Sequence, residues 1–228
     1  MDLPSFYQNA LFFILMFMLA DSVWHAQRKN KNHYHQLLRD VYLGGVKRYA
    51  IAFFILVATI VTAIEVMDRA PDVLKLGWLN IVMDSAANPA VAPLHNAMSD
   101  HNTNGFTILL AVCFYLLFML AVPLISQREE RWFRKDHIHI GTIILMSFLF
   151  GFMHCLIGIP IILGAVLALP GFLFALCYRN TYIRVLETTQ NPQQSVEEAL
   201  RASTVIHSLY NGFAVTIIVF AVIYMAIQ

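Results

Sequence analysis

The stretch FTILLAVCFYLLFMLAVPLI, residues 106–125, runs for twenty positions without a charged side chain. That is the length a helix needs to cross the ~30 Å hydrocarbon layer of a membrane. It also restricts the fold, because lipid offers no hydrogen bonds and each backbone N–H and C=O must be satisfied within a helix or a closed barrel. Five further apolar runs lie at roughly 5–24, 49–67, 140–158, 160–178 and 203–226. The composition agrees: 59% of residues are hydrophobic and 13% charged, against about 25% charged in soluble domains. The expectation is an all-α, polytopic membrane protein with about six transmembrane helices. Its first run has no basic n-region and no small-residue cleavage site, so it reads as a retained helix rather than a signal peptide. A net charge of +1 gives no reason to expect a nucleic-acid partner.

The connections carry their own signals. Only Gly158–Pro160 separates the fourth and fifth runs, which predicts a tight helical hairpin. LGWLNIVM, residues 76–83, is too short to cross and reads as an interfacial or re-entrant helix, followed by a turn-rich loop to residue 105. Residues 179–202 read as a long polar connection, with SVEE at Ser195–Glu198 as a helix N-terminus. Pro123 and Pro170 fall inside spans, where they are tolerated if neighbours satisfy the freed carbonyls. Cys113, Cys155 and Cys177 lie in apolar runs and read as small buried hydrophobes, with no disulfide or zinc spacing.

Charge sets the expected orientation. Of the fifteen Lys and Arg, only Arg69 and Lys75 fall outside three segments: the loop 25–48, the stretch 128–135 after the third span, and 179–201. The positive-inside rule places those segments in the cytoplasm and both termini outside.

Ionisable groups inside spans are costly and are functional candidates by default. Glu129 and Glu130 open the segment EERWFR at the end of the third span; Glu130 and Arg134 are four apart with the acid first, the favoured order for a helical pair. Glu129 is turned about 100° from its neighbour, so one glutamate can be held by the arginine while the other stays free to react. His154 sits in FLFGFMHCLI. His207 and Asn211, four apart in HSLYN, share a helix face. Taken singly, a Glu–Arg cluster at a span end is ordinarily a solvated cap, and a lone histidine or asparagine in a span ordinarily links helices by a hydrogen bond. His137 and His139 point to different sides and read as interface residues. The acid pair, two histidines and an amide distributed over three helices are more than packing requires.

These residues form three ordered motifs: E-E-x-x-x-R at Glu129, Glu130 and Arg134; F-x-x-x-H at Phe150 and His154; and H-x-x-x-N at His207 and Asn211. The set resembles the CPBP family of CAAX proteases and bacteriocin-processing enzymes, over roughly residues 106–220. The resemblance implies a CPBP-like helical core in 106–228; residues 1–105 lie outside it and read, from their apolar runs and charges, as two N-terminal transmembrane helices and an extracytoplasmic loop. It implies an intramembrane endopeptidase: Glu129 activates a water, His154 positions it, His207 and Asn211 form the oxyanion site, and Glu130 and Arg134 support them. That division suits peptide hydrolysis, which needs a base, a fixed water and donors for the oxyanion. No cofactor is expected; the alternative is zinc held by Glu129, His154 and His207 with water in the fourth position. The partners implied are the lipid bilayer and a membrane protein, lipidated tail or leader peptide as substrate. The compact chain fits a prokaryotic cytoplasmic membrane. Lys135 stands where many members have glycine, which bears on how the helix end turns. Two other classes stay open: a non-proteolytic bacteriocin-immunity or regulatory protein on the same scaffold, and a haem-binding or proton-coupled protein using His25, His154 and His207.

Overall fold

The computed structural model describes residues 3–77 and 105–227, and all regular structure among them is helical. The elements are α1 (Leu3–Lys29), α2 (Lys31–Tyr42), α3 (Val46–Arg69), the single turn α4 (Asp72–Lys75), α5 (Gly105–Phe133), α6 (Ile140–Met153) continued by a 3-10 turn at His154–Ile157, α7 (Ile161–Thr189) and α8 (Pro192–Ile227). Among the described residues, four stretches are long and apolar enough to cross a membrane: Val46–Arg69, Val112–Phe133, Ile161–Thr189 and Pro192–Ala221. The run expected to span at 140–158 forms a shorter apolar helix. The segment 76–83 and the turn-rich stretch after it lie, from residue 78 to 104, outside the described residues.

Local chemistry explains the turns. The α6–α7 hairpin closes where Gly158 takes φ 93°, ψ 4°, a conformation that costs glycine nothing; Pro160 then leads into α7. The connection expected to be long at 179–202 is helical instead. Helix α7 continues to Thr189, Gln190 caps it in the left-handed region at φ 53°, and α8 starts at Pro192. Asn191 accepts from the Gln194 N–H at 3.1 Å through its side chain, with proline next in line, the favoured order for a helix start. Apolar runs mark where a helix meets lipid, not where it ends: α7 runs on through polar residues to Thr189, and α8 starts at Pro192, just before the helix start expected at Ser195.

The expected loop 25–48 likewise contains a helix. Asn30 caps α2 by accepting from the His33 N–H at 3.3 Å, and Tyr34, Leu37 and Val41 form its buried stripe. Two tyrosines of α2 reach the α5 backbone just before Pro123. Pro123 has no N–H, so the carbonyl of Met119 loses its helical donor. The Tyr42 hydroxyl donates to that carbonyl, and the Tyr34 hydroxyl donates to Leu120 O at 3.0 Å. Burial pushes the Tyr42 pKa up, so the phenol keeps the proton it donates.

Helix α7 packs closely on α6 and α8, which places it at the centre of the bundle; α3 covers the α7–α8 seam, and α1 lies along α5. The α6–α7 approach depends on glycine. A Cβ on Gly151 would lie 2.1 Å from the Gly164 carbonyl oxygen and 2.7 Å from the Ala168 nitrogen. Small residues permit such backbone contact in lipid, where helices associate by packing. Phe150, Phe174, Val205, Leu209 and Tyr210 form the buried apolar centre. Phe54, Ile64, Leu145 and Phe220 face outward, as lipid contact requires. Cys113 is exposed on this outer surface, Cys155 and Cys177 are partly buried, and all three are free thiols.

The three basic segments meet at one end. Arg201 of α8 clasps Asp40 of α2 with Nε and Nη2, at 2.5 and 2.7 Å. His33 and Gln127 join α2 to α5 at 3.1 Å, and Arg179 donates to Ile138 O at 3.1 Å.

Candidate active site

The last turns of α5 bring two adjacent carboxylates against one imidazole on α8. His207 Nδ1 lies 2.9 Å from Glu130 Oε1, and His207 Nε2 lies 3.3 Å from Glu129 Oε2. Glu130 is fully buried and His207 almost so, while the Glu129 side chain is 24% exposed. Only the Glu130 contact is a hydrogen bond; an ionised carboxylate only accepts, so Nδ1 donates, while Glu129 Oε2 lies near Nε2 without a hydrogen-bond partner.

Arg134 follows one turn after Glu130, just past the end of α5, with its Nε 3.7 Å from Glu130 Oε2 and no exposure on either side chain. This rules out the solvated-cap reading for the pair. The guanidinium lies 4.9 Å from the centre of the Phe150 ring. Gly171 leaves the room: a Cβ there would come within 2.8 Å of Phe150 and 3.5 Å of Arg134. Lys135 does not need the conformation that glycine would supply, because the left-handed residue of this turn is Asp136, at φ 67°. Its N–H points to the Tyr178 hydroxyl at 3.4 Å.

Two aromatic rings hold the imidazole. Phe174 stacks on His207 at 4.5 Å and 21°, and Phe150 meets it edge-on at 5.4 Å and 78°. Phe150 also touches the His154 ring at 4.8 Å, and so stands between the two histidines. His154 Nδ1 is 2.8 Å from the Phe150 carbonyl. A carbonyl only accepts, so Nδ1 carries the proton and Nε2 faces away from this bond. Asn211, one turn beyond His207, donates to the buried Ser126 hydroxyl at 3.4 Å. Ser126 sits one turn before Glu129 and Glu130.

Glu129, Glu130, Arg134 and His207 are thus in direct contact. His154 joins them through Phe150, and Asn211 lies on the same α5–α8 seam through Ser126; neither hydrogen-bonds a carboxylate here. His207, expected as an oxyanion donor, has both nitrogens turned to carboxylates. Phe174 and Ser126 carried no sequence signal, one being an apolar residue in an apolar run and the other a lone small hydroxyl. His25 is remote from this cluster in its bonding, paired with Asp21 on α1 at 2.9 Å. His139 is exposed and precedes α6 without a side-chain cap bond.

The zinc set does not fit this arrangement. Among the described residues no group of three His, Cys, Asp or Glu is placed to hold a metal ion, and His207 Nδ1 is hydrogen-bonded to Glu130. Two cavities open at the basic end, of about 600 Å³ between α2, α5 and α8 and about 510 Å³ between α1 and α5. Neither is lined by Glu129 or His207.

Compared with known proteins, the chain matches no family model, no curated protein and no solved structure.

Proposed function

We propose that this membrane protein is an intramembrane endopeptidase that hydrolyses peptide bonds of membrane-associated proteins or peptides near the cytoplasmic face, on a six-span CPBP-like scaffold with both termini outside. The observation that carries the reading is the meeting of Glu129 and Glu130 with His207 across two helices. Glu129 is the partly exposed carboxylate and takes the proton of an attacking water. The hydroxide adds to the scissile carbonyl, and the Glu129 carboxyl returns the proton to the amine as the C–N bond breaks. His207 and Asn211 donate to the oxyanion once substrate draws them from Glu129 and Ser126. His154 orients the water. Glu130 and Arg134 are positioning residues that hold His207. No step passes through a metal.

Purified Glu129→Gln should lose cleavage of lipidated-tail and leader-peptide substrates while remaining folded; unchanged cleavage sinks the assignment of the base. Activity abolished by a chelator and restored by zinc overturns the metal-free step.

One observation favours a second reading. Glu130 is hydrogen-bonded to His207, Glu129 lies against the same ring, and neither cavity reaches Glu129, as suits a non-proteolytic immunity or regulatory protein on the same scaffold. That reading requires Glu129→Gln and His154→Ala to leave the cellular phenotype intact.

A further inference from the structure

The two cavities at the basic end differ in charge. The one between α2, α5 and α8 is lined by Asp40, Glu197 and Glu198 as well as by Arg201 and by Arg131, which stands between the two cavities. The one between α1 and α5 has Lys29, Arg128 and Arg131 around it, and its only acid is Asp21, which faces His25 at 2.9 Å. The ion pairs of the described residues engage Arg69, Lys75, Arg134 and Arg201 with carboxylates, but none engages Lys29, Arg128 or Arg131. Leu124 and Ile125 supply an apolar wall, so the space is cationic at one end and greasy at the other.

Its depth is marked by two features. Trp24 is exposed on α1, with the Arg28 guanidinium 4.7 Å over its ring, the aromatic-and-cation pairing of a membrane–water boundary. Further into the apolar zone Phe17 of α1 and Leu116 and Leu120 of α5 face outward. We propose that this cavity binds the headgroup of an anionic phospholipid. Lys29, Arg128 and Arg131 take the phosphate, and Leu124 and Ile125 take the start of the acyl chains. Basic pockets between transmembrane helices on the cytoplasmic side suit such headgroups. The site is independent of the peptidase reading, since none of these residues belongs to the cluster around His207.

The test uses the full chain in detergent, titrated with phosphatidylglycerol, phosphatidylcholine or inorganic phosphate. Bound lipid is read by native mass spectrometry and stability by Tm. Phosphatidylglycerol should bind and raise Tm where the other two do not. The double variant Arg128→Gln/Arg131→Gln should bind it roughly tenfold or more weakly, with its lipid-free Tm unchanged. Lys47→Gln/Arg184→Gln, which removes the same charge elsewhere, should bind like the parent. Equal binding of both lipids, equal loss in the two double variants, or a full response to phosphate alone would each overturn the proposal.

Discussion

Glu130 and His207 lie 2.9 Å apart, Oε1 to Nδ1, although 77 positions separate them in the chain. With Arg134 beside Glu130 and also buried, the carboxylate is the joint between α5 and α8. A buried charge stripped of its partner is far costlier than the pair is favourable, by about 3–5 kcal/mol.

Glu130→Gln should therefore destabilise strongly, because it leaves Arg134 buried without its carboxylate. Glu130→Gln/Arg134→Met should recover part of the loss, since the uncompensated charge goes too. Denaturant unfolding of the parent, Glu130→Gln and the double variant in one detergent checks this; a double variant no more stable than Glu130→Gln contradicts it.

The Tyr42–Met119 bond is the second test, because it compensates for a specific proline. Tyr42→Phe should cost about 1 kcal/mol by leaving the Met119 carbonyl without a donor. In a Pro123→Ala background residue 123 supplies the helical N–H, and the same substitution should cost little. A thermal-unfolding double-mutant cycle reads the coupling directly. Additive effects would mean that the phenol does not serve the freed carbonyl.

That bond also shows what the sequence discloses. Pro123 in an apolar run announces an unsatisfied carbonyl, but not which residue answers it, because Tyr42 comes from a stretch whose Lys and Arg read as a basic loop. The stripe Tyr34, Leu37, Val41 was present at helical spacing beneath those charges. Gly158–Pro160 was legible as a hairpin because glycine and proline act locally. The pairing of Glu130 with Arg134 was legible because four residues is one helical turn. The sharing of His207 by two glutamates, the stacking of Phe174 and the bond from Asn211 to Ser126 were not. They depend on how α5, α7 and α8 rotate against each other, which three nearly all-apolar helices do not encode in their polar pattern.

Gly151 and Gly141 belong to the same helix and should respond oppositely to alanine. At Gly151 the new methyl meets backbone of α7 and must part the two helices, at a cost of about 1–3 kcal/mol or more. At Gly141 a Cβ meets nothing within 4 Å, so alanine should stabilise by about 0.5–1 kcal/mol through helix propensity. Thermal unfolding of both variants decides it. If Gly151→Ala is neutral, the backbone contact between α6 and α7 is wrong, and so is the placement of Phe150 beside His207 that it supports.

Asp40 and Arg201 provide the contrast that isolates burial. Their bonds are shorter than those of Glu130 and Arg134, yet the side chains are 17% and 41% exposed. Water screens such a pair, so Asp40→Asn should cost no more than about 1 kcal/mol. The cost should shrink further in ~1 M salt, where the screening length falls to about 3 Å. Glu130→Gln should stay costly at every salt concentration, because ions do not reach a fully buried carboxylate. Unfolding both variants across a salt series separates the two cases. If the penalty for Glu130→Gln also falls away with salt, solvent reaches Glu130, and the carboxylate is not the dry support that holds His207 in place.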